Sequence, residues 1–211
     1  MHNLETPTYK LALFGARSSL GSALLVEALS RQWEVTALVD DLNALDSRPG
    51  LRTKVGALDD ALAASQAVAG MDAVLCYLPG VPLAPERAMR SDGAFDQAFI
   101  AIGALLDGLA VARVKRLMVI ADFGWMDTDS GHPAQPGQQL QQRLVDSPLA
   151  WTLADSPAGA ETPGQYLTLA DFREGHEEPR VSALIAQARA LLDECRLAAH
   201  VRQRVKLDAS G

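Results

Sequence analysis

Two glycines, Gly15 and Gly21, bracket the loop GARSSLG, which follows the apolar run KLALF and opens a helix-like segment. A helix amino terminus presents N–H groups and a partial positive charge, so it is a place for phosphate. Gly15 suits a tight turn after a strand, and Gly21 lets the helix lie close to a sheet. The middle position of this G-x-x-G-x-x-G pattern is Ser18, small enough to admit a phosphate and able to donate its hydroxyl to one. Asp40 ends the next apolar run, nineteen residues beyond Gly21. A carboxylate there accepts from both hydroxyls of an adenosine ribose and repels a 2′-phosphate, so Asp40 and Asp41 favour NAD. Arg17 argues for NADP, because a guanidinium in this loop can pair with the 2′-phosphate. Taken alone, the loop fits a structural turn as well, and Asp40 fits a turn residue after its strand.

Candidates for proton transfer are fewer. Asp122 and Tyr77 stand at the ends of apolar runs, where a side chain can meet a bound substrate, although packing or turn roles fit both. None of the three tyrosines, Tyr9, Tyr77 and Tyr166, has a lysine four residues later. Gln139 and Arg143 have that spacing without the acid–base chemistry. Four scattered histidines show no ligand spacing, which gives a metal site no support. Cys76, inside AVLCYL, reads as a buried structural thiol, and Cys195 lies far from it with no C-x-x-C partner.

The elements that must position these residues alternate. Apolar runs of strand length fall at 10–15, 33–39, 51–56, 72–78, 116–122 and 149–155. Short continuous runs of this kind suit parallel strands covered on both faces. Helical spacing occupies 19–32, 59–69, 92–112 and 180–198, with at most a short helix from about 137 to 145 in an irregular, Gln-rich connection. The alternation predicts an α/β fold, a doubly wound parallel sheet with right-handed crossovers. In such sheets ligands sit at the carboxyl ends of the strands. The formal charge of −7 argues against a nucleic-acid partner, and HVRQRVK (200–206) reads as an exposed strand face. No apolar run approaches the ~18 residues of a membrane span. The amino terminus lacks a signal-peptide pattern, so a cytoplasmic location is expected.

From about residue 10 to 207 the chain resembles the atypical short-chain dehydrogenase/reductases of the NmrA-like, NAD(P)-binding type. The likeness rests on LALFGARSSLGSALLVEALSRQWEVTALV, VAGMDAVLCYLPG, LAVARVKRLMVIADFG, SPLAWTLADSPAG, GQYLTL and EPRVSALIAQARALLDECRLAAHVRQRVKL. The resemblance implies one Rossmann-like domain over 1–211, with six or seven strands, a flexible segment at 1–9 and a small carboxyl-terminal substrate lobe from 156 to 211. It implies cofactor contacts at Gly15, Arg17, Ser18, Ser19, Leu20 and Gly21, at Asp40, at Ala57 and Leu58, and at Leu78, Pro79 and Gly80. The SPA turn, Ser156, Pro157 and Ala158, would lie near a nicotinamide. The family's tyrosine–lysine pair is missing, so Asp122 and Tyr77 are the catalytic candidates.

These expectations describe an NAD- or NADP-dependent oxidoreductase acting on a small carbonyl or quinone-like substrate. The alternative is a dinucleotide-binding redox sensor or assembly partner without catalysis. A third reading is a relic fold that binds no dinucleotide, and a homodimer stays open.

Overall fold

The computed structural model describes residues 8–78, 94–127, 134–156, 167–168, 170–174 and 178–206. Seven strands form one sheet: β1 (Lys10–Phe14), β2 (Glu34–Val39), β3 (Leu51–Val55), β4 (Ala73–Tyr77), β5 (Arg116–Ala121), β6 (Ala150–Asp155) and β7 (Gln203–Lys206). Their order is β3-β2-β1-β4-β5-β6-β7, and every pairing is parallel. The order reverses direction between β1 and β4, which opens a crevice at their carboxyl ends. Register places Leu11 beside both Val35 and Ala73, so β1 lies at the centre of the first crossover.

The strands are apolar because helices cover both faces. On one face lie α1 (Ser19–Ser30) and the last helix, α6 (Pro179–Leu197), with Leu13, Leu24, Leu75 and Leu192 buried between helices and sheet. The short α5 (Asp171–Glu174) adds Phe172 to this layer. On the other face lie α2 (Ala61–Val68), α3 (Ala94–Ala112) and α4 (Ala134–Asp146), over Val74, Cys76, Val119 and Leu153. Every residue of β4 and β5 is buried, whereas the edge strand β3 exposes Arg52 and Lys54. Charge on an edge strand discourages pairing with another chain.

Local chemistry sets the helix ends. Asp60 caps α2 by accepting from the Ala63 N–H at 2.8 Å, and Pro179 occupies the first turn of α6, where its missing N–H costs nothing. α4 is longer than its Gln-rich sequence predicts: Leu140 and Leu144, one turn apart, are both buried in the core. Tyr9 is tied to the fold. Its ring centroid lies 4.5 Å from that of Trp33 and its carbonyl accepts from Glu34 N–H, so the ordered fold begins before β1. Cys76 is fully buried, which pushes its thiol up, as the sequence reading expected. Among the described residues no cluster of His, Cys, Asp and Glu suits a metal, and no helix is long and apolar enough to cross a membrane.

Candidate functional site

The crevice begins where β1 ends. Gly15 has φ of +86°, and a Cβ there would stand 2.3 Å from the Tyr77 carbonyl oxygen on β4. A Cβ on Gly21 would stand 1.9 Å from the Gly15 carbonyl oxygen. The two glycines therefore solve one problem in sequence: the first lets the loop pass against β4, and the second lets α1 close onto the loop. Ser18 locks the result. Its Oγ accepts from the Gly21 N–H at 2.9 Å and donates to the Gly15 carbonyl at 2.8 Å. The hydroxyl is thus engaged inside the loop, and the residue is 3% exposed. Ser19 accepts from the Leu167 N–H at 2.8 Å, and Leu20 is buried in the core. What remains for an anion is main chain and the end of the helix.

Arg17 and Asp40, which pointed to different cofactors in the sequence, meet each other. Arg17 Nη1 lies 2.8 Å from Asp40 Oδ1, which also accepts from the Asp41 N–H at 3.1 Å. Both side chains stay wet, 39% and 49% exposed. A cavity of about 290 Å³ adjoins Arg17, between Ser22 of α1, Leu45 and Asp46 after β2, and Thr168. Ala57 is half-buried beyond β3. Leu58 and Leu78 are core side chains, so only their main chain can face a ligand. Pro79, Gly80, Pro157, Ala158 and Tyr166 lie outside the described residues.

The far end of the crevice is built by β5, β6 and β7. Asp122 follows β5, is half-buried, and accepts from the Gly124 N–H at 2.8 Å. Tyr77 differs: it is 6% exposed and packs in the α1/α6 core layer. Asp155, the last residue of β6, accepts from the Phe123 N–H at 2.9 Å through Oδ1 and from Arg204 Nε at 3.0 Å through Oδ2. Arg204 reaches Asp127 as well, Nη1 to Oδ1 at 2.5 Å and Nη2 to Oδ2 at 3.2 Å. Hydrogen bonds from Arg204 hold the Asp127 carboxyl below its ordinary range. Burial works to lower the Arg204 guanidinium, and the bonds to Asp127 and Asp155 outweigh it and raise it. HVRQRVK is thus not a plain solvated face, which is a correction. Arg204 is a half-buried connector, and Arg202 donates to the Ser147 carbonyl at 2.9 Å. Ser156 donates its N–H to the Ala121 carbonyl at 2.9 Å, continuing the ladder past the last strand residue.

Known proteins share this fold. In structure, the chain resembles a Rossmann-fold NAD(P)-binding family protein from Shigella flexneri, with TM-score 0.62 and 14% identity, over 97% of this chain and 95% of that one. It also resembles a short-chain dehydrogenase/reductase from Veillonella parvula solved in complex with NADP, with TM-score 0.60 and 13% identity, over 97% and 96% of the two chains. A third likeness is to an oxidoreductase of the short-chain dehydrogenase/reductase family from Burkholderia thailandensis, with TM-score 0.59 and 17% identity, over 95% and 91%. At these identities the likeness shows the fold. No curated protein sequence matches the chain. A family model described as NAD(P)H-binding matches residues 15–182, from the first glycine of the loop into α6, and the chain belongs to that NAD(P)H-binding family.

Proposed function

We propose that the chain holds a nicotinamide dinucleotide across the carboxyl edge of the sheet and passes its hydride to a small carbonyl or quinone-like substrate. One observation carries the reading: the Gly15–Gly21 loop lies at the reversal of strand order between β1 and β4, with α1 starting directly behind it. The pyrophosphate would rest on that loop, the adenosine ribose beside Asp40 and Arg17, and the nicotinamide over the ends of β5 and β6. Bound there, the cofactor supplies the hydride. The residues of this chain bind and orient it, and orientation is what a hydride acceptor mainly needs.

Asp122 is the group we assign to proton transfer. It stands half-exposed at the end of β5, whereas Tyr77 is enclosed in the core beneath the glycine loop. NAD(H) is the preferred cofactor in this reading, because Asp40 holds Arg17 through one oxygen and the other would accept from the ribose hydroxyls. The NmrA-like sensor is the second reading, favoured by the missing Tyr-x-x-x-Lys pair.

Calorimetric titration with NAD, NADH, NADP and NADPH tests the binding, and a panel of aldehydes, ketones and quinones tests the chemistry. Turnover is expected to fall ~10²–10⁴-fold in Asp122→Asn. Full activity in that variant removes Asp122 from the mechanism. Binding without turnover across the panel selects the sensor, and no binding of any of the four sinks both readings.

A further inference from the structure

The guanidinium of Arg204 joins two carboxylates that belong to different elements. Asp155 closes β6, Asp127 follows the turn after β5, and Arg204 itself lies on β7. Asp155 then hands the connection on, since its other oxygen accepts from the Phe123 N–H. Phe123 neighbours Asp122, and Gly124 donates to the Asp122 carboxylate. A continuous chain of bonds thus runs from the edge strand, through the end of β6, to the segment that emerges from β5. It links β7 to the carboxyl ends of its two neighbours, β6 and β5.

The parts differ in depth. The Asp155 side chain is 13% exposed and that of Arg204 23%, whereas Asp127 is 58% exposed. A planar fork with donors on both sides suits a bridge of this kind, and a lysine ammonium on its flexible stem does not reproduce it. Isolated surface pairs contribute little, but this one is anchored by a largely buried carboxylate that also receives a backbone N–H. Left without Arg204, Asp155 would keep only the Phe123 N–H as donor, and the turn at 122–127 would be tied to β6 at Phe123 while Asp127 lost its link to β7.

We infer that Arg204 is a positioning residue for the nicotinamide half of the crevice, setting where the 122–127 turn sits through Asp155 and Asp127. The inference rests on the proposed dinucleotide site, and it assigns Arg204 no contact with the cofactor. The adenosine and pyrophosphate half, built by β1, α1 and β2, does not depend on Arg204.

Titration with ADP-ribose and with NADH separates the two halves, because ADP-ribose lacks the nicotinamide. In Arg204→Met the affinity for ADP-ribose is expected to stay within about twofold of the unsubstituted chain, while NADH weakens about tenfold, a difference worth roughly 1.4 kcal/mol. Arg204→Lys restores part of the loss, as one ammonium can reach one carboxylate. Asp127→Asn, at the exposed end of the bridge, gives a smaller loss in the same direction and serves if the Met variant does not fold. Equal loss for both ligands, or none for either, overturns the inference. So does an unsubstituted chain that binds ADP-ribose and NADH equally. Hydrogen exchange of the 122–127 amides without ligand reads the bridge independently of binding. Faster exchange in Arg204→Met supports it, and unchanged exchange overturns it. An unsubstituted chain that binds neither ligand but shows the faster exchange in the variant defeats the dinucleotide reading and, with it, the role of Arg204 toward a nicotinamide, while leaving the bridge standing.

Discussion

At the amino-terminal edge of the sheet, Arg116 starts β5 and is sealed in. Its guanidinium donates to the Cys195 and Glu194 carbonyls at 2.9 Å, to the Ala150 carbonyl and Thr152 Oγ1 at 2.8 Å, and to Glu194 Oε1 at 3.1 Å. At the carboxyl edge, Arg17 pairs with Asp40 in the open, Nη1 to Oδ1 at 2.8 Å. The side chains of the first pair are 8% and 12% exposed, those of the second 39% and 49%. The chemistry is the same, and burial decides what each can do. Arg116 donates to carbonyls in the last turn of α6 and to a Glu194 carboxylate that is mostly out of water, so removing it takes away several donors at once and leaves that carboxylate to His200. Arg17 and Asp40 lose little by parting, because water replaces each partner. One edge is built to hold and the other can be traded to a ligand.

The largest effect expected from this contrast is at Arg116. Arg116→Met should lower stability by about 3–5 kcal/mol, the range for breaking a buried charged pair, with the loss read as a shift in the urea midpoint. A loss below ~1 kcal/mol would mean that the network is no tighter than a surface pair. The folded fraction should keep its dinucleotide affinity, since this edge is remote from the glycine loop.

The same network sets an acid limit. Burial works to raise the Glu194 carboxyl, but hydrogen bonds from the His200 ring and N–H, with the Arg116 charge, outweigh it and hold the group below the usual carboxylate range. A carboxyl depressed in the folded state adds stability that is fully present above its unfolded pKa, ~4.3 for glutamate. That stability is lost as pH falls below this value and through the depressed one. Urea midpoints measured from pH 7 down to pH 3 should therefore fall less steeply in Glu194→Gln than in the unsubstituted chain. Parallel acid limbs would remove Glu194 as their source.

Much of this architecture is legible in the sequence, for a physical reason. Strands covered on both faces must be apolar throughout, so KLALF, AVLCY and RLMVIA mark themselves, and the observed bounds fall within a residue or two of the expected ones. The two glycines are legible as well, because a left-handed φ and a close approach both demand the residue without a Cβ. The side-chain bonds are not. Ser18 reads as a small loop residue, and its bonds to Gly15 and Gly21 within the loop are visible only in three dimensions. Arg204 looks like one charge on a polar strand, since its partners lie 49 and 77 residues away in the chain. α4 is underestimated because its polar face dominates the composition, while two leucines suffice to anchor it. Local pattern reveals which surface is buried, and contacts across distant elements decide what a polar group is free to do.

The smallest change in stability and the sharpest change in binding should coincide at Arg17 and Asp40. As an exposed pair they contribute roughly 0.2–1 kcal/mol to folding, so Asp40→Asn should melt within a few degrees of the unsubstituted chain. Binding is another matter. A 2′-phosphate approaching this site draws Arg17 away from Asp40 and leaves the carboxylate facing a group of the same sign, a juxtaposition that costs several kcal/mol. In the proposed binding mode NADH, with a hydroxyl in that place, would leave the pair intact and donate to Asp40. Asp40→Asn removes the opposing charge and releases Arg17, so the preference should move from NADH toward NADPH. Arg17→Ala should instead weaken NADPH with little change for NADH. Parallel titrations of the two cofactors against both variants measure this directly. Tighter binding of NADPH than NADH in the unsubstituted chain, unchanged by Asp40→Asn, would show that the ribose does not meet this carboxylate.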